Sequence, residues 1–401
     1  MMTYAEALAI IAAQAPQRRC ERVALAAAAG RIVAEDIRLA HDQPPFDRAT
    51  MDGYALRLLG QQARFTVRAT VSAGTSYDGA LAPGEAVRIM TGAPCPPGTT
   101  VVPVEATDGG HDAVTVGDST ALQPGRNIAW RGEDGRAGAL VVEAGTRLSP
   151  VILALLAMAG APTPQVAIGP TLSIITTGDE LEGQGAASIR DSNGPLLRAF
   201  LDCLGLTAEV LHADDTPENL QRAIHEAASR SDIIVTTGGV SAGDRDLVPQ
   251  VAQDEGFTTL FHHLAMQPGK PVLLGRRGGQ YLVGLPGNPV SVLATAHLVL
   301  WPLLARFLGT PPPRWLELPV MVPWTHRGKR QLFLPARVVA GGLQVVAWNG
   351  SGDLLAAAAA DGLIDLPSGT QVASGALGRF LPYAGGRLGE IARLPERARA
   401  T

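Results

Sequence analysis

Gly284-Leu285-Pro286-Gly287-Asn288-Pro289 stands between an apolar run, Tyr281-Leu282-Val283, and a longer one starting at Val290. That order predicts a strand, a stiff turn and then a helix, with Asn288 as N-cap and Pro289 as first residue, where a missing N–H costs nothing. The first turn of a helix leaves backbone N–H groups unpaired, and these favour anions. A second junction has the same character: Ile233-Ile234-Val235 runs into Thr236-Thr237-Gly238-Gly239-Val240-Ser241. Gly238 and Gly239 let the backbone close on a phosphate, and Ser241 adds a donor. Two such turns point to a phosphorylated or oxyanion substrate.

Carboxylates and one lysine accompany these turns. Thr176-Thr177-Gly178-Asp179-Glu180-Leu181 ends an apolar strand, and open parallel sheets bind ligands at that edge. Glu180 there, and Asp246 after the glycine turn, suit a hard cation such as Mg2+, which takes oxygen ligands and bridges to phosphates. Asp246 has a plainer reading as a helix cap. Gln267-Pro268-Gly269-Lys270-Pro271 frames an ammonium between prolines, which favours contact with an anion. Pro44 to Ala55 carries two prolines, Asp47, Asp52 and Gly53. It is either a rigid loop offering Asp52 to a metal or a neighbouring subunit, or a domain-crossing loop with solvated carboxylates. Thr91-Gly92 and Arg131-Gly132-Glu133-Asp134, each taken alone, read as turns. His262-His263, in a strand, would point to opposite faces and could not chelate one metal together. No Ser-His-Asp arrangement emerges, which disfavours covalent hydrolysis.

The elements that must position these residues follow from pattern and composition. A chain of 401 residues implies more than one domain. With 46% hydrophobic and 17% charged residues it can bury cores rather than stay disordered. A net charge of −4 without a long basic run argues against nucleic-acid binding. Cys20, Cys95 and Cys203 form no CxxC pair, so neither a zinc site nor a disulfide framework is expected. Thr3 with Glu6 reads as a helix capping box rather than part of a signal peptide, and the setting is expected to be cytoplasmic.

Residues 1–45 read as a helix and an irregular segment, and 46–135 as a small β domain. Strands at 172–177, 206–211, 232–237, 271–274 and 281–284 alternate with helices at 194–204, 217–229, 246–254 and 289–308. That alternation means an α/β domain with a mostly parallel sheet. The apolar run from Val290 to Leu304 contains His297 and Pro302 and is followed by Arg306. It is expected to be a buried or subunit-interface helix, not a membrane span. Pro311-Pro312-Pro313 reads as a linker, and 317–383 as a second β domain.

From Pro44 to Ser291, in order, PPFDRATMDGYA (44–55), RIMTGAP (88–94), RGED (131–134), TTGDEL (176–181), DSNGPLL (191–197), TTGGVSAGDRD (236–246), PGKP (268–271) and GLPGNPVS (284–291) resemble the molybdopterin molybdenumtransferase family, the MoeA and gephyrin E-domain group. The resemblance implies an extended domain (1–45 with 136–165), an inserted β domain (46–135), an α/β domain like the molybdopterin adenylyltransferases (166–310) and a C-terminal β-barrel (311–401). It implies a homodimer with its active site between subunits. The family takes adenylylated molybdopterin and molybdate, splits the adenylate with a divalent metal, inserts molybdenum and releases AMP. By motif position, Asp52, Glu180, Asp246 and Lys270 match catalytic places, with Glu180 and Asp246 on Mg2+. Thr91, Asp134, Asp214, Gly238, Gly239, Ser241, Pro286, Gly287, Asn288 and Pro289 match substrate-binding places, and Asp215 is as good a match as Asp214. Many relatives carry a lysine where Gln267 stands. A molybdopterin adenylyltransferase and recipient molybdoenzymes are the further partners implied. Adenylyl transfer to molybdopterin is one competing reading; a non-catalytic molybdopterin-binding scaffold or chaperone is the other.

Overall fold

A computed structural model describes residues 1–60, 62–117, 121–178, 181, 189–240, 247–386 and 388. The chain divides into two compact units, Asp36–Glu143 with Pro150–Thr163, and Met1–Glu35 with Ala144–Ser149 and Pro164–Thr401.

The smaller unit is built on five strands in the order Thr100–Pro103, Gly53–Leu56, Glu85–Ile89, Arg64–Val71, Ala113–Thr115. Side chains alternate across a strand. Tyr54 and Leu56 accordingly join one apolar cluster with Phe65 and Val102, while Ala55 joins another with Val87 and Val101. Gly53 is required, because a Cβ there would lie 2.0 Å from Val102 O. Helix Pro150–Met158 also belongs to this unit.

The larger unit contains the α/β pattern. Its elements are β1 (Leu172–Thr177), α1 (Asn193–Cys203), β2 (Ala208–Ala213), α2 (Pro217–Ala228), β3 (Ile233–Thr237), α3 (Val248–Asp254), β4 (Thr258–His262), β5 (Met266–Gln267), β6 (Leu273–Arg277), β7 (Gln280–Leu285) and α4 (Pro289–Thr295). The sheet order is β2-β1-β3-β7-β6-β4, parallel through β7 and antiparallel beyond it. All six residues of β1 are buried, as a central strand covered on both faces demands. In α2 the apolar stripe Leu220, Ile224, Ala227 and Ala228 turns inward, and Thr216 Oγ1 caps the helix by accepting from Asn219 N. The capping box of Thr3 and Glu6 is present on helix Tyr4–Ala12.

From α4 the chain continues through a π-helical turn, Ala296–Leu300, into α5 (Trp301–Leu308), which Gly309 ends at φ +71°. Pro289–Leu308 is long and apolar enough to cross a membrane, yet 89% of its most apolar window is buried within the fold. It packs in the main core with Phe200, Phe261 and Tyr281.

The C-terminal sheet runs Met266–Gln267, Gln331–Val339, Gly362–Leu366, Leu377–Pro382, Leu316–Pro319. Its first strand is β5, borrowed from the α/β region before the triple proline.

Candidate active site

Strands β3 and β7 are parallel neighbours, with Thr237 opposite Leu285. Their two turns therefore leave the sheet side by side. Gly238 N donates to Leu285 O at 3.0 Å, and a Cβ on Gly287 would lie 3.8 Å from Gly238 Cα. Gly238 has φ +92°, and a Cβ there would meet Thr177 Oγ1 at 2.7 Å, so only glycine fits. The start of α1 closes in from a third direction. Asn193 Nδ2 donates to Gly287 O at 2.7 Å, which fixes the amide's orientation, and its Oδ1 has no donor among the described residues. Asp191 Oδ1 accepts from Asn193 N and Gly194 N, so this carboxylate caps the helix.

Lys270 faces the same space. Gly269 before it has φ +92°, and a Cβ would lie 2.4 Å from Thr295 Cγ2. Strand β5 pairs in parallel with Gln331–Val339, Gln267 opposite Leu332, and this brings Arg330 beside Gln267. Arg330 Nη2 donates to Gln267 Oε1 at 3.1 Å. The chain after strand Gln331–Val339 of the C-terminal sheet sends in a second segment, Trp348 to Ser351. Ser351 Oγ accepts from Asn288 Nδ2 at 2.9 Å, and Ser351 O accepts from Val290 N at 3.0 Å.

That last contact corrects one expectation. Asn288 has the backbone of an N-cap, but its side chain makes no cap bond because it is held by Ser351. Pro289 has no N–H, and the donor of Val290 is taken. The start of α4 is therefore less open to anions than the sequence implied.

Together these elements enclose a cleft of about 650 Å³, within the size range of small-molecule sites. Gly238, Gly239, Lys270, Pro286, Gly287, Asn288 and Pro289 all line it. Its described wall carries Arg190, Lys270 and Arg330 against one carboxylate, Asp215. The three cations on the described wall of a chain of net charge −4 favour anions there.

Asp214 does not line this cleft. Its side chain is 65% exposed and accepts from Asn219 Nδ2 at 3.1 Å, and Asp215 reaches the wall instead. Glu180, Ser241 and Asp246 lie outside the described residues. Among the described residues no cluster of three or more His, Cys, Asp or Glu could hold a metal. Asp215, the carboxylate on the described wall, is an oxygen donor of the hard kind that Mg2+ accepts when phosphates and waters complete its shell.

The other expected residues belong to the smaller unit. Asp52 precedes strand Gly53–Leu56, and Thr91 follows Glu85–Ile89, its antiparallel neighbour. Thr91 N and Oγ1 donate to Asp52 Oδ1 at 2.6 and 2.7 Å. The hydroxyl bond, then the N–H bond, holds the Asp52 carboxyl below its ordinary pKa, so this exposed acid stays ionised. Asp134 is exposed, and its N donates to Gln43 O.

The histidine pair departs from expectation. The rings of His262 and His263 stack, with centroids 3.8 Å apart, because His263 leaves the strand at φ +67°. His262 Nε2 lies 2.9 Å from Val240 O, bonding the backbone just after the glycine turn. Sequence reasoning missed Arg330, Trp348 and Ser351. The local sign was faint: a short basic run, Lys329-Arg330, at the start of a strand.

Comparison with known proteins agrees with this architecture. Residues 2–160 match the family described as MoeA N-terminal region (domain I and II). Residues 173–306 match "Probable molybdopterin binding domain", and 317–382 match MoeA C-terminal region (domain IV). A molybdopterin molybdenumtransferase of Staphylococcus aureus (strain Mu50) is 32% identical over 369 residues, 87% of each chain. The Haemophilus influenzae protein of the same name is 35% identical over 319 residues, covering 77% of this chain and 78% of its own. The crystal structure of a molybdopterin biosynthesis MoeA protein from Pyrococcus horikoshii superposes with a TM-score of 0.80 at 29% identity, over 96% of this chain and 99% of that one. With its turns, its cleft and its C-terminal sheet in place, the chain belongs to the molybdopterin molybdenumtransferase (MoeA) family.

Proposed function

We propose that this protein inserts molybdenum from molybdate into adenylylated molybdopterin, in a Mg2+-dependent step that releases AMP and yields molybdenum cofactor. One observation carries it: the two abutting glycine turns, Lys270 and Arg330 line a single cleft at the carboxyl edge of the sheet. Lys270 and Arg330 are suited to hold the molybdate dianion by charge-assisted hydrogen bonds. With the Gly238 N–H held by Leu285 O, the bare backbone of Gly238 and Gly239 leaves room for a phosphate to approach closely. Mg2+ would neutralise charge on the phosphates. Among the described residues Asp215 would be its ligand, and the sequence adds Glu180 and Asp246. Molybdate and the pterin are substrates, so the protein's cysteines need take no part.

The resemblance also implies a catalytic part for Asp52 with Thr91, substrate contacts for Asp134, the four-domain division given above, and a homodimer. The apolar helix Pro150–Met158, whose Val151 and Met158 are 75% and 50% exposed, supports an interface with a second copy. A cytoplasmic setting fits a substrate made and used by other soluble steps.

The test incubates purified protein with adenylylated molybdopterin, molybdate and Mg2+ and measures AMP. AMP release that chelation by EDTA abolishes is the expected result. Tight cofactor binding without AMP release would favour the scaffold reading and overturn this one.

A further inference from the structure

A polar cleft with Arg190, Lys270 and Arg330 on its described wall needs no large aromatic side chain there, yet one is present. Trp348 is the sole aromatic among the described residues that line it. The whole chain is 4% aromatic, so an indole placed against solvent is a costly use of a ring. One side of Trp348 packs on the β-domain cluster that includes Val320, Leu343 and Phe380, and the residue is half-buried. Among the described residues no aromatic ring stacks on it, and no guanidinium lies over it, in contrast to Trp315, which sits under Arg379.

The segment carrying it is pinned on both sides. Val346 N donates to Pro335 O at 2.9 Å, and Asn349 N donates to Asp353 Oδ2 at 2.9 Å. Ser351 is tied to Asn288 and Val290 across the cleft mouth. A ring held this way loses little conformational freedom when a ligand packs on it.

We infer that Trp348 is a stacking platform for the flat heteroaromatic ring of a phosphorylated ligand, while the glycine turns, Lys270 and Arg330 take its anionic part. This rests on the function proposed above and adds to it the residue that reads the ring. Two rings share the required chemistry, a nucleobase and a pterin. Each offers a π face to the indole and is tethered to phosphate. Base–aromatic stacking tolerates either, because it needs no hydrogen-bond match.

The experiment uses the full-length protein and its Trp348→Leu and Trp348→Phe variants. Leucine keeps apolar bulk on the β-domain core and removes the aromatic face; phenylalanine keeps a smaller ring. Calorimetric and fluorescence titrations use AMP, 6-hydroxymethylpterin and ribose 5-phosphate, which has the phosphate but no ring. Trp348→Leu should weaken one of the two ring ligands roughly 10- to 100-fold and leave ribose 5-phosphate affinity unchanged. Trp348→Phe should recover most of the loss, and quenching of tryptophan emission by the ring ligand should vanish in both variants. Loss for AMP assigns the platform to the nucleobase, and loss for the pterin assigns it to the cofactor ring. Unchanged affinity for both rings in Trp348→Leu overturns the inference, and so does an equal loss for ribose 5-phosphate. If the wild type releases AMP yet Trp348→Leu binds both rings normally, the platform fails and the proposed activity stands. If the wild type binds neither ring, both fall.

Discussion

Replacing Arg330 with methionine separates the cleft's chemistry from its architecture. The guanidinium is half-buried and bonded to a neutral acceptor, Gln267 Oε1, at 3.1 Å. Losing that bond costs the fold about 0.5–1.5 kcal/mol, and methionine keeps the stem's packing. Losing a charge-assisted contact to a bound anion costs about 1.5–3 kcal/mol. Each 1.4 kcal/mol is tenfold, so molybdate should bind roughly 10- to 150-fold more weakly while the melting temperature falls by about a few degrees or less. Calorimetric titration with sodium molybdate, beside a melting curve, reads both numbers. The wild-type affinity should also fall as ionic strength rises, and the variant's should fall less steeply. Gln267→Lys makes the complementary case. It places an ammonium against the guanidinium, which should destabilise the free protein and make molybdate stabilise it more. Wild-type molybdate affinity in a folded Arg330→Met protein would refute the assignment of Arg330 to the anion.

Gly238→Ala forces a side chain into φ +92° and against Thr177 Oγ1, so stability should drop by roughly 1–3 kcal/mol and AMP release should fall with it; a variant that melts and turns over like the wild type would show that the turn's geometry is not needed. Asn193→Ala removes the bond to Gly287 O, and KM for the adenylylated substrate should rise while a melting shift stays small; an unchanged KM would count against the amide as a brace for the Pro286–Asn288 turn. His297 donates from Nδ1 to Leu293 O and accepts from Ala384 N at Nε2, and burial pushes its pKa down to about 4. The unfolded chain therefore takes up the proton first as pH falls below about 6.5, so stability should be flat above that pH and decline by about 3 kcal/mol toward pH 4. Denaturant melts of His297→Gln between pH 8 and pH 4.5 should show a shallower decline, and a wild-type slope in the variant would refute the buried neutral imidazole as its source.

Much of the scaffold could be read from local chemistry. Thr3 with Glu6 and Thr216 with Pro217 announce helix starts through their own side chains, and both caps are present. The junctions at Gly238 and Pro286 were legible because glycine and proline restrict the backbone wherever the chain goes. Only the His262 end of strand β4 was, since Thr258–His262 buries one residue fully and shows no clean alternation. The stacking of His262 on His263 hinges on one positive φ that nothing in the neighbouring sequence demands. Arg330, Trp348 and Ser351 escaped notice for a different reason. Their place in the cleft depends on β5 pairing with a strand more than sixty residues later, and no periodicity within either segment encodes that register.

That pairing bears on how the protein can be taken apart. Pro311-Pro312-Pro313 looks like a natural place to sever the chain, but a fragment beginning there would lack Met266 and Gln267. The opening stretch of Gln331–Val339 would then present bare N–H and C=O groups, an adhesive margin ready to recruit strands from other molecules. Shuffling pieces between relatives should succeed only when residues 266–267 travel with the C-terminal sheet they complete.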